Sequence, residues 1–176
     1  MRRLILVAVL VLVAAVVYRS YGSAETGTGG TLTLPQPAPN VGAVAPSFEL
    51  RSEEGRDFEL SDEGIYVLAF WSTLNRQSNQ SREGFERLAS EFANDDVEFA
   101  AVYVNSAPNR ESAHYEVLRD RSGALTQSYN IKRVPRLFLI EDGRVRLVQT
   151  GFYEEYDNEL EAEIRAYLSE QEERAG

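Results

Sequence analysis

The sequence predicts an α/β protein: a central mixed β-sheet flanked by helices, with a β-hairpin extension on its N-terminal side. Three observations carry this reading. Ile65 to Trp71 is apolar throughout, the mark of a central strand buried on both faces. Strand and helix patterns then alternate, and strand–helix–strand units form right-handed parallel crossovers. Late in the chain Asp142-Gly143 separates two apolar segments, a hairpin signal that adds an antiparallel edge.

Each element follows from its own pattern. Phe48-Glu49-Leu50 and Asp57-Phe58-Glu59-Leu60 alternate around Glu53-Glu54-Gly55, which predicts a hairpin with one wet face. Phe85, Leu88, Ala89 and Phe92 recur at i, i+3, i+4 and i+7, so a helix is expected from about 76 to 93. Val97 to Val104 is rich in Val, Phe and Tyr and reads as a strand. A helical stretch is expected around Glu111 to Val117, and a short one around Gly123 to Tyr129. Arg136 to Ile140 and Arg144 to Thr150 are the strands of the late hairpin. A final helix carries Leu160, Ile164, Tyr167 and Leu168 as its inner stripe.

The region before the sheet is of another kind. Met1-Arg2-Arg3 precedes an apolar run from Leu4 to Tyr18, the pattern of an export signal. The positive-inside rule keeps the two arginines in the cytoplasm and sends the rest outward. Two readings stay open for residues 1–21: an uncleaved signal anchor, a transmembrane helix held at its outer end by Tyr18 and Arg19, or a signal peptide cleaved after Gly22-Ser23-Ala24. Residues 22–40 are rich in Gly, Thr and Pro and read as a linker. The folded domain is expected over 41–170, with 171–176 as an acidic tail. The domain is thus placed outside the cytoplasm, single-pass on the cell membrane, or secreted or periplasmic if the leader is removed.

Composition narrows the chemistry. The 176 residues include no cysteine, so a disulfide, a thiolate nucleophile and a sulfur-bound zinc are all excluded. One histidine excludes any metal site needing two imidazoles. The acids ahead of and along the last helix lack the spacing of a calcium loop. No cofactor and no metal are expected. Lys and Arg total 18 against 28 Asp and Glu, a net charge of -10. An acidic body repels the phosphate backbone, so no nucleic-acid partner is expected.

Several segments together resemble the thioredoxin-like superfamily, in particular its exported, membrane-tethered TlpA/ResA-like thiol-disulfide oxidoreductases, close to the redoxin and AhpC/TSA group. Val41-Gly42-Ala43-Val44-Ala45-Pro46-Ser47-Phe48-Glu49-Leu50 is similar to that branch's opening segment. Gly55 to Leu60 and Val67 to Thr73 resemble the hairpin and the strand that leads to its active site. Asn130 to Ile140, followed by Asp142-Gly143, resembles its cis-proline segment. The resemblance covers roughly 41–170 and implies a thioredoxin-like fold.

The match stops at the chemistry. Where the family has Cys-x-x-Cys, this chain has Asn75-Arg76-Gln77-Ser78. Thiol-disulfide exchange needs an attacking thiolate and a second thiol to release the mixed disulfide. An amide cannot attack, and a serine hydroxyl needs a base. The sole histidine, His114, falls in the expected helix after Val97–Val104, with nothing to place it near Ser78. No catalytic residue is expected.

What the resemblance implies instead is a surface. Val134–Pro135 corresponds to the family's cis-proline, beside which the backbone pairs with extended peptides. Asn75 sits where a helix should begin, and asparagine is a strong N-cap. Arg76, Arg133 and Arg136 are expected near that point, with Trp71 and Leu74 flanking the groove. A degenerate, redox-inactive member follows: a binding or assembly module for a polypeptide of the cell envelope, with its N-terminal helix in the membrane. The alternative is a subunit related to the oxidoreductases, working with a partner that supplies the thiols.

Overall fold

The computed structural model describes residues 38–108, 112, 114–151 and 154–175, with backbone alone at 154–156 and 175. Residues 35–176 group into one compact unit. The export run Leu4–Tyr18 and almost all of the linker lie outside the described residues.

Seven strands and three helices are described. The strands are β1 (Phe48–Arg51), β2 (Asp57–Leu60), β3 (Ile65–Trp71), β4 (Val97–Tyr103), β5 (Glu116–Arg119), β6 (Arg136–Glu141) and β7 (Arg144–Thr150). The helices are α1 (Arg76–Glu91), α2 (Ala124–Ser128) and α3 (Glu154–Ala175). The main sheet has the order β5-β4-β3-β6-β7. β3, β4 and β5 are parallel, while β6 runs against β3 and β7 against β6. The β1–β2 hairpin forms its own small sheet and touches β5 through the Ser52–Leu118 bridge.

The alternation along β3 divides the core into two layers. Ile65, Val67, Ala69 and Trp71 pack with Phe85, Leu88, Phe92, Leu160 and Ile164 of α1 and α3. Tyr66, Leu68 and Phe70 face the other way, onto Phe58, Leu60, Leu125, Tyr129 and Phe138. Each large side chain so buried stabilises the fold by about 1.5–3 kcal/mol. A strand needed on both faces has no room for a polar residue, which explains its unbroken apolar run.

On the outer edge of β7 the entering chain adds a short antiparallel segment. Gly42 N–H donates to Val145 O at 2.7 Å, Val145 N–H to Ala43 O at 3.0 Å, and Ala45 N–H to Gly143 O at 2.9 Å. A turn closed by Ala43 N–H on Asn40 O then leads the chain away from the strand.

The sheet, the hairpin, α1, α2 and the late hairpin stand as the sequence predicts. One expectation is overturned. Glu116-Val117-Leu118-Arg119 is not the end of a helix but the edge strand β5, in parallel register with Ala100 to Tyr103. The stretch has two buried residues flanked by charged ones and no helical stripe, and strand pairing satisfies its backbone. His114 therefore lies in the exposed bend before β5 and not in a helix. Residues 109–111 and 113 are outside the described residues. α3 continues through 171–175 to Ala175, supported by an Arg174–Glu170 pair one turn apart.

Candidate functional site

The site lies where β3 ends and α1 begins. Asn75 is the N-cap of α1, with extended backbone (φ -99, ψ 124). Its Oδ1 accepts the Ser78 N–H at 2.8 Å, satisfying one of the helix's free first-turn donors. Ser78 is 1% exposed, and its Oγ accepts the Ser72 N–H at 3.3 Å. The two residues that the sequence resemblance sets at the dithiol positions are thus bonded into the turn.

The loop between strand and helix is pinned by further side chains. Ser72 Oγ accepts the Leu74 N–H at 3.2 Å. Asn105 Oδ1 accepts the Thr73 N–H at 3.2 Å, while its Nδ2 donates to Thr73 Oγ1 at 2.9 Å. Asn79 Nδ2 donates to Thr73 O at 3.0 Å, and Ser81 Oγ to Ser78 O at 3.0 Å. Sequence reasoning missed Ser72, Thr73, Asn79, Ser81 and Asn105. The density of hydroxyl and amide side chains from Ser72 to Ser81 was the available signal, since such residues bond local backbone.

Val134–Pro135 is a cis peptide. Pro135 and Trp71 line one narrow cavity with Ser81, Phe85, Leu137 and Gly151, so the proline does come against the base of α1. At ≈ 30 Å³ this space suits about one water molecule, not a substrate. Pro135 O accepts the Gly151 N–H at 2.9 Å. Val134, by contrast, has no hydrogen-bond partner for its N–H or C=O among the described residues.

The expected binding residues divide into two groups. Trp71 is 2% exposed and packs edge-on against Phe85, Tyr103 and Tyr115, so it forms the site's floor and not its wall. Leu74 is the opposite case: 89% exposed, on a loop fixed by hydrogen bonds. Arg76 and Arg133, with Lys132 beside it, are exposed and form no ion pair among the described residues. Arg136 is half-buried and tied down. The pleat turns it to the face of Phe138, whose ring lies 5.4 Å from the guanidinium carbon, and Nη1 donates to Thr150 Oγ1 at 2.8 Å. Burial lowers its pKa. The expected trio of arginines thus leaves two free charges.

Ser78 has no base. His114 lies with Ala89 and Ala93, near the other end of α1. Eleven or more residues of helix from Ser78 make that roughly 16 Å or more, at about 1.5 Å per residue. Among the described residues no group of three His, Asp or Glu side chains is placed to hold a metal. What the arrangement offers, among the described residues, is an exposed apolar knob, free backbone beside a cis-proline and three unpaired cations, Arg76, Lys132 and Arg133.

A five-stranded mixed sheet with a helix launched from its central strand and a cis-proline facing that helix defines a thioredoxin-like fold. Residues 41–148 match the AhpC/TSA family, and the chain belongs to it. It is similar to the thiol-disulfide oxidoreductase ResA of Geobacillus thermodenitrificans, 25% identical over 162 residues, covering 86% of each chain. ResA of Bacillus subtilis is 26% identical over 153 residues, with 81% of this chain and 80% of that one covered. Among solved structures, the thiol:disulfide interchange protein DsbE of Chlorobium tepidum aligns with a TM-score of 0.65 at 25% identity, over 73% of this chain and 98% of that one.

Proposed function

We propose that this protein is a redox-inactive thioredoxin-fold module that binds an extended polypeptide outside the cytoplasm, tethered through its N-terminal segment. The observation that carries the reading is the fate of the dithiol. Asn75 and Ser78 occupy its positions and bond into the helix cap, and the chain has no cysteine to supply the exchange reaction. The binding half rests on Val134, whose free N–H and C=O can pair with an added strand. Leu74 supplies an apolar anchor beside it, and Arg76 and Arg133 attract acidic segments that the rest of this acidic protein repels.

The tether rests on the export pattern of residues 1–21. No described helix is long and apolar enough to cross a membrane. The names of the ResA relatives favour a second reading, a subunit that works on thiols supplied by a partner.

Two measurements on the full chain decide. Insulin reduction with dithiothreitol should proceed no faster than with reductant alone. Reduced, carboxymethylated α-lactalbumin, an extended polypeptide without free thiols, should bind. Leu74→Asp and Arg133→Glu should each weaken that binding, while Arg174→Glu on the far end of α3 should not. Accelerated insulin reduction would overturn the redox-inactive reading, and binding insensitive to both site variants would overturn the groove.

A further inference from the structure

The two ends of α1 carry opposite features. Just before its start Leu74 is 89% exposed, the most exposed large apolar side chain among the described residues, on a loop held by hydrogen bonds. Arg76, Lys132 and Arg133 stand at the same end, exposed and without an ion pair among the described residues. At the other end, about 24 Å away along the 16 residues of the helix, the main sheet has a notch. β4 begins at Val97, but β5 joins it only at the Glu116–Ala100 pair. The gap leaves a cavity of ≈ 260 Å³ with an apolar floor that includes Ala93, Val97, Phe99 and Tyr115.

We propose that Leu74 of one copy enters this notch in a second copy, so that the protein associates with itself head to tail. Shape and charge point to this occupant separately. The cavity has room for a leucine side chain, and burying Leu74 there removes its apolar surface from water. The loop that presents Leu74 is fixed by its own hydrogen bonds, so little order is lost on contact. Around the notch Asp95, Asp96 and Glu98 stand exposed. Arg56 does not balance them, because it is already paired with Glu54 and Glu116. In a chain of net charge -10, most of the surface repels another copy. The end of α1 that carries Arg76, Lys132 and Arg133 is the part that suits an acidic rim.

The two surfaces differ, so the contact is heterologous. Each joined pair keeps a free knob at one end and a free notch at the other, and a third copy can follow. One side chain and its rim make a small contact, weak in dilute solution and favoured where copies are held close together. Self-association covers the Leu74 end, the surface proposed above to take a polypeptide. It rests on the exposure and charge of that end, not on the polypeptide reading.

A chain without cysteine allows thiols to be placed at chosen points. Gln77 is exposed in the first turn of α1, and Asn94 is exposed between Ala93 and the rim acids. At roughly 1 mM, which populates weak contacts, a short bismaleimide should join full chains carrying both Gln77→Cys and Asn94→Cys into dimers, trimers and longer species. Chains with either substitution alone should stay monomeric. Adding Leu74→Asp, which spoils the knob, or Ala93→Phe, which fills the notch, should abolish the ladder. Mixing these two variants should restore dimers and nothing longer, because one keeps a notch and the other a knob. Arg76→Glu with Arg133→Glu should slow the ladder about ten-fold. Ala93→Phe should leave lactalbumin binding unchanged, so this proposal and the polypeptide reading fail separately. No ladder, dimers from either cysteine variant alone, a ladder that survives Ala93→Phe, or no dimers from the mixture would overturn the proposal.

Discussion

The two halves of the candidate site differ in how their backbone is bonded. In the loop from Ser72 to Asn79, side chains answer the backbone: Asn75 caps Ser78, Ser78 holds Ser72, and Asn105 and Asn79 hold Thr73. Across from it, Val134 keeps both backbone groups free, and Lys132 and Arg133 stand unpaired, among the described residues. The helix side is thus closed by its own side chains, while the strand side is open among the described residues.

The comparison breaks most easily at Trp71, the floor common to both halves. Trp71→Ala should destabilise the fold by about 3–5 kcal/mol in urea denaturation. A loss well below that range would move Trp71 from the core into the groove.

Next comes a contrast in pH response. Away from both halves, Glu141 is 5% exposed at the far end of β6. Burial raises its carboxyl to about 7, with Glu163, Glu170 and Asp142 adding to the rise and Arg146 at 2.6 Å opposing it. Because the folded state then binds more protons than the unfolded one, stability should fall as pH rises from about 4.5 to about 7. The fall should be on the order of 2–3 kcal/mol and largely vanish in Glu141→Gln. If it persists in that variant, some other group titrates, and the site's halves must be searched for it.

Smaller effects are expected in the bonded half. Ser78→Ala leaves the Ser72 N–H without its acceptor and should cost about 1–3 kcal/mol. Asn75→Ala removes the cap and should cost about 1 kcal/mol. Leu74→Ser should change stability by less than about 0.5 kcal/mol while weakening polypeptide binding, the signature of a residue that serves a partner. Thermal melts beside the lactalbumin titration separate these outcomes.

Most of the fold could be read from the chain because its strands are buried on two faces or one, and both patterns are explicit in β3, β2 and β7. The edge strand β5 could not, since four residues with two charged ends have no period of their own and take their form from β4. At the site, the absence of thiols was legible from composition, and the cis-proline only through the resemblance carried by Asn130 to Ile140. The division between Trp71 and Leu74 was not: both are large and apolar, three residues apart, and only the end of the strand decides which side is covered. Arg136 was misplaced for a similar reason. Pleating sends neighbours to opposite faces, so adjacency to Pro135 carries it away from the groove.

The short pairing of Gly42–Ala45 with β7 has a mechanical consequence. It fixes where the chain enters the domain, beside the turn that joins β6 to β7. Val134 lies just beyond the opposite end of β6, about 20 Å away at roughly 3.3 Å per strand residue. Tension applied between the entering segment and Val134 would therefore run along β6 and β7. Their antiparallel ladder bonds lie across that line. Such a load would be taken in shear, shared by many bonds together, and not as peeling, which would open them one after another.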